Sequence, residues 1–133
     1  SVDEFQHFVY ENPNATKEER NAKWLEIEKK YTPYKSNKGS KFLLNGSRWM
    51  LQGHIFASPF YYIDYTFAQV FAFSFHNLDV INHEKAWDRY INLCKLGGRY
   101  PFVELVKHAK LSNPFSKGFV KKNIKPLLKE LGI

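Results

Sequence analysis

Apolar side chains recur at helical spacing on more than one side of the stretch 63–75: Ile63, Phe67, Val70, Phe71 and Phe75. Tyr62, Tyr65, Thr66 and Gln69 fall together on another side, with Phe73 and His76 further along. A helix that is apolar nearly all round belongs in the middle of a helical packing. The spacing therefore predicts a central helix. Ser58 is placed to cap it, and Pro59 to occupy its first position, where a missing N–H loses no bond. A buried phenol without a partner costs about 1–3 kcal/mol. The tyrosines on that side therefore need partners, either in the fold or in a ligand.

The remaining segments carry the same period. Residues 2–10 read as a helix with the stripe Phe5, Phe8 and Val9, beginning abruptly at residue 1 as a helix cut from a longer one does. Asn12-Pro13 ends it. Thr16 and Glu19 form a capping box that opens a helix to Tyr31, in which Trp24, Leu25, Ile27 and Glu28 alternate between a buried and a charged side. Residues 33–53 read as an irregular loop with one helical turn at Phe42, Leu43 and Leu44, and it delivers the chain to His54 in a glycine-flanked turn.

After the central helix, residues 77–81 are expected as a break, and Asn82 as the cap of a helix over 83–96 with Trp87, Tyr90, Ile91 and Cys94 inward. Gly97-Gly98 stops that helix. Pro101 starts another, with Phe102, Val103, Leu105, Val106 and Ala109 inward, ended by Asn113-Pro114. A last helix over 117–131 turns Val120, Ile124, Leu127, Leu128 and Leu131 inward, with Pro126 expected to kink or split it. No segment alternates with the period of a strand. The predicted fold class is all-α.

A hydrophobic content of 44% and an aromatic content of 17% over 133 residues exclude disorder and allow one domain with its own core. The formal net charge of +7 comes from Lys35, Lys38, Lys41 and Arg48 in the loop and from Lys117, Lys121, Lys122, Lys125 and Lys129 near the end. Such lysines suit a solvated face. Nucleic-acid binding would need exposed rings among them, whereas the rings here fall at core spacing. Cys94 is the single cysteine, so no intrachain disulfide forms, and it reads as a small core residue. No basic-then-apolar leader is present. Asp64 and Gln69 interrupt the apolar run 55–75, and a charge in mid-span costs about 2.5–3.5 kcal/mol. A soluble cytoplasmic protein without a membrane partner is the expectation.

No complete catalytic motif is present. His83-Glu84 begins a His-Glu-x-x-His string, but Trp87 holds the second ligand position. The predicted break separates His76 from His83, and His7 and His108 stand apart, so no metal ligand is assigned within the chain.

The order of residues adds what spacing cannot. Gly53-His54-Ile55-Phe56 followed by Pro59-Phe60-Tyr61-Tyr62-Ile63-Asp64-Tyr65 resembles the C-terminal catalytic region of the oligoendopeptidase F family, zinc metallopeptidases related to thimet oligopeptidase. The likeness includes Val2-Asp3-Glu4-Phe5-Gln6-His7 and Tyr10-Glu11-Asn12-Pro13 upstream, and Lys85-Ala86-Trp87 and Leu93-Cys94-Lys95-Leu96-Gly97-Gly98 downstream, so it covers nearly the whole chain.

The resemblance implies that residues 1–133 are the C-terminal part of a larger α-helical metallopeptidase catalytic domain. The zinc-binding helix is then expected upstream, with the zinc bound by residues outside this chain. It implies hydrolysis of internal bonds of short peptides by zinc-activated water, with oligopeptides and the missing N-terminal part as partners and no nucleic acid. The isolated chain is then expected to be inactive. By the same resemblance Tyr65 is the expected oxyanion donor, His54 and Tyr62 the groups that bind and orient the substrate carbonyl, and Gly53 the residue that admits a peptide backbone. One such donor is worth about 3–4 kcal/mol of barrier. Tyr61 and Asp64 are read instead as core packing and an internal hydrogen bond, and Arg48 as a surface residue. A non-catalytic all-α binding module, with nucleic acid on its basic surface, is the competing reading.

Overall fold

The computed structural model describes all 133 residues as eight α-helices and one 3₁₀ segment, with no strand. The all-α expectation holds. The chain divides into two compact units, Ser1–Asp64 and Tyr65–Ile133.

In the first unit α1 (Val2–Glu11) and α2 (Lys17–Tyr31) are followed by α3 (Lys41–Leu44), a 3₁₀ segment (Ser47–Leu51) and α4 (Gly53–Ala57). The capping box forms as expected: the Glu19 N–H donates to Thr16 Oγ1 at 3.2 Å, and the Thr16 N–H to the Glu19 carboxylate at 2.7 Å. Val2, Phe5, Trp24, Ile27 and Trp49 make the buried core. Phe5 meets Trp24 edge-on at 5.2 Å and Trp49 at 5.4 Å. Burying a side chain such as Phe5 or Ile27 contributes about 1.5–3 kcal/mol.

The loop 33–53 is more tightly held than its composition suggests. Glu28 is only 6% exposed, and Arg48 Nε lies 2.9 Å from its carboxylate with Lys35 Nζ at 3.5 Å. Asn37 Nδ2 donates to the same carboxylate at 3.0 Å, and Asn37 Oδ1 accepts from Arg48 at 2.9 Å. Arg48 is therefore not the surface residue expected: a buried acid on α2 has captured it. Gly46 adopts φ 76°, and a β-carbon there would collide with the Asn21 carbonyl oxygen and lie 2.9 Å from Leu25 Cγ. Glycine is required at this turn because the loop backbone rests directly on α2.

The second unit is built from α5 (Ile63–Ile81), whose first two residues close the preceding unit, α6 (His83–Leu96), α7 (Phe102–His108) and α8 (Phe119–Glu130). Both ends of α5 differ from expectation. Ser58 closes α4 instead of opening α5, its N–H donating to the His54 carbonyl at 3.0 Å. Phe60 then adopts φ 61°, which a right-handed helix cannot contain, so α5 starts at Ile63. At the far end residues 77–81 stay helical. The break falls at Asn82, whose extended backbone and side chain cap α6 through the Lys85 N–H at 2.8 Å.

Phe71 packs on Phe102 at 5.2 Å and Phe119 at 6.2 Å, while Phe67 packs on Phe102 at 5.4 Å and Phe115 at 5.3 Å. The register of α8 is corrected. Phe119 and Asn123 are its buried residues, while Val120, Leu128 and Leu131 are exposed. The reason is a polar seam: Ser74 Oγ donates to Asn123 Oδ1 at 2.7 Å, and Asn77 Nδ2 to the Asn123 carbonyl at 2.8 Å. Satisfying buried amides outweighs turning the most apolar face inward. Pro126 lies inside α8, which runs on past it to Glu130.

Two further expectations fail. Ser74 is the one buried residue of α5, so the helix is not enclosed by this chain. Cys94 is exposed, not a core residue. No helix is long and apolar enough to cross a membrane.

Candidate active site

His54 stands on α4 directly after Gly53, half-buried. Tyr62 meets its imidazole edge-on, with centroids 5.2 Å apart and planes 82° apart. Tyr62 also packs against the core of Phe5, Trp24 and Trp49. The ring of Tyr61 stacks on His54, 5.9 Å away and 12° from parallel. Two phenols thus bracket one imidazole within the first unit.

The turn between α4 and α5 produces this bracket. A left-handed backbone at a bulky residue costs about 1–2 kcal/mol, so the φ of 61° at Phe60 needs support. Helix α1 supplies it. The Phe60 N–H donates to Gln6 Oε1 at 3.0 Å, and the Phe60 ring lies 5.0 Å from both the His7 and Tyr10 rings.

The structure thus brings together His54 and Tyr62 of the expected site, and adds Tyr61. The core-packing expectation for Tyr61 is wrong: it is 47% exposed and lies on the histidine. The signal was Ser58-Pro59, which favours turn initiation as readily as a helix start. Asp64 is exposed. Tyr65 is the first residue of the second unit and is 52% exposed. Gly53 is exposed, and a β-carbon there would meet nothing within 4 Å.

No three or more His, Cys, Asp or Glu side chains gather closely enough to hold a metal ion. His83 pairs with Asp79 at 2.7 Å and stacks on Trp87, and His76 pairs with Glu130 at 2.9 Å. The side chains present do not fit a zinc site. What they offer is hydrogen bonding: phenol O–H donors and an imidazole that donates from one nitrogen and accepts at the other.

No protein-family model matches the chain, and no curated protein does. Solved structures do. A structure of PZ peptidase A with an inhibitor is 48% identical, with a TM-score of 0.93 over 98% of this chain. A protein assigned as oligoendopeptidase F is 47% identical, with a TM-score of 0.94 over the same share. Over nearly its whole length the chain matches a segment of an oligoendopeptidase F. An assigned oligoendopeptidase F from Bacillus anthracis str. Ames also matches, at 44% identity and a TM-score of 0.76 over 98% of the chain. Residues 1–133 span 23% of the first two of these chains and 20% of the third. They therefore correspond to one helical segment of an oligoendopeptidase F.

Proposed function

We propose that residues 1–133 form the C-terminal part of the catalytic domain of a zinc-dependent oligopeptidase that cuts internal bonds of short peptides. The observation that carries this reading is the His54–Tyr61–Tyr62 ring cluster on a segment similar to oligoendopeptidase F. In this reading the zinc ligands and the motif glutamate lie elsewhere in the longer polypeptide. The segment's own residues bind and orient the peptide. Gly53 admits the substrate backbone, His54 and Tyr62 hydrogen-bond its carbonyls, and Tyr65 donates to the oxyanion as charge develops there.

The exposure of Tyr65 supports a ligand-facing role. The uncovered apolar faces of α5 and α6, including Val80, Ile81 and Trp87, suit a segment packed against the rest of its parent. A nucleic-acid module is less well supported, since Lys35 and Arg48 are committed to Glu28. The lone Cys94 makes no demand for an oxidising compartment and is compatible with the cytoplasm.

The deciding experiment is Tyr65→Phe in the full-length peptidase that carries this segment. The kcat for a quenched fluorescent oligopeptide should fall by about 10²–10³-fold with KM little changed. A kcat close to that of the unsubstituted enzyme would remove the oxyanion role.

A further inference from the structure

Gln6 lies in the middle of α1, 1% exposed, and its amide does not bond within its own helix. Its Oε1 instead accepts the backbone N–H of Phe60, fifty-four residues away, at 3.0 Å. That N–H belongs to the residue whose left-handed φ of 61° turns the chain after α4. Tyr61 and Tyr62, the two rings on His54, follow at once. His7 and Tyr10, also on α1, enclose the Phe60 ring at 5.0 Å each. One side-chain oxygen therefore fixes the strained residue immediately before the two phenols. A strained backbone persists only where its surroundings over-determine it, and such positions gather at functional sites.

We infer that Gln6 is a positioning residue for peptide hydrolysis. Through Oε1 it locks the Phe60 turn, and through that turn it sets Tyr61 and Tyr62 against His54. This rests on the reading of His54 and Tyr62 as substrate-binding groups. The role is distinguishable from simple stabilisation because the two ends of the Gln6 amide act on stability in opposite directions. Its Nε2 is buried without a partner, a state that costs stability. Gln6→Met keeps the side-chain volume, removes that orphaned donor and removes the acceptor. The loss of the orphaned donor offsets the Phe60 N–H left without its acceptor, so a structural role alone predicts a small change in melting temperature together with normal turnover. A positioning role predicts the same small change with turnover lost.

The test uses the full-length peptidase with Gln6→Met, Gln6→Glu, Tyr65→Phe and His54→Ala, assayed on a quenched fluorescent oligopeptide. Gln6→Met should lower kcat by about ten- to a hundredfold, the scale of a misplaced orienting group. Gln6→Glu keeps a carboxyl oxygen where Oε1 stands and should recover part of that loss. Amide exchange in residues 60–62 should quicken in Gln6→Met while the rest of α1 keeps its protection, a readout that remains valid if the variant is less stable. If Gln6→Met leaves exchange at 60–62 unaltered, or leaves kcat within about twofold of wild type, the inference is overturned. If Tyr65→Phe and His54→Ala also leave turnover intact, the functional reading itself has failed. If those two abolish turnover and Gln6→Met does not, the positioning role alone is wrong.

Discussion

The Tyr61 ring stacks on the His54 imidazole with centroids 5.9 Å apart and planes 12° from parallel. Together with the edge-on Tyr62 ring it limits the rotation of His54, and a histidine held in one orientation offers its nitrogens in one direction. An aromatic pair of this kind is worth about 0.5–1.5 kcal/mol beyond area burial.

Tyr61→Ala in the full-length peptidase should therefore lower kcat/KM by about two- to tenfold, the range that pair energy converts to. Tyr61→Phe keeps the stacked ring and should retain more of the activity. Steady-state kinetics of the two variants check this, and equal losses would show that stacking is not the cause.

Gly53 has open space around the place a β-carbon would take, and its backbone is helical. Gly53→Ala should leave thermal stability within about 0.5 kcal/mol of wild type. If a substrate backbone passes there, the added methyl should raise KM for an oligopeptide. A melting curve paired with a KM measurement separates the two effects, and an unchanged KM would place the substrate elsewhere.

Glu28 and Arg48 form an ion pair whose carboxylate is almost fully buried. Arg48→Met removes the main counter-charge, and breaking a buried pair from one side costs about 3–5 kcal/mol. Lys35 and Asn37 remain beside Glu28, so the loss should fall at the lower end. Chemical denaturation measures it. Adding Glu28→Gln to Arg48→Met should restore part of the loss, because no buried charge is then left unpaired.

Glu4 accepts from the Tyr31 hydroxyl at 2.5 Å and from Lys30 Nζ at 2.9 Å, and these bonds hold its carboxyl below the usual range. The folded value is depressed. Its stabilising contribution is thus present above the unfolded value and lost as pH falls through the folded one. Lys30 is raised chiefly by its hydrogen bond to Glu4, so its share is present below its unfolded value and lost as pH rises through the folded one. Melting temperatures of wild type and Glu4→Gln should converge only as pH falls through the depressed folded value, below the usual carboxylate range, where Glu4 is protonated. They should separate between pH 5 and 9, with wild type higher. Parallel curves over the whole range would show that Glu4 contributes nothing through its charge.

Local signals in the chain were read correctly where they act within a few residues. The Thr16–Glu19 box, the Asn82 cap and the inward Trp24 and Ile27 all follow from spacing and short-range hydrogen bonding. Pro59 was misread because Ser-Pro serves either a cap or a turn, and only the distant acceptor on Gln6 selects the turn. Cys94 and the outer face of α5 depart from expectation for a different reason. Apolar spacing shows which face seeks burial, not which partner covers it.

The sequence by itself determined the helical class, most helix boundaries and, through its ordered run around His54, the likeness to oligoendopeptidase F. Periodicity and capping are local, and residue order is independent of conformation. The tertiary structure decided what depends on groups far apart in the chain: the left-handed Phe60 under Gln6, the capture of Arg48 by Glu28, and the Ser74–Asn123 seam that sets the register of α8. Each of these answers the need of a buried polar group for a partner, and where that partner lies is fixed only when the chain has folded.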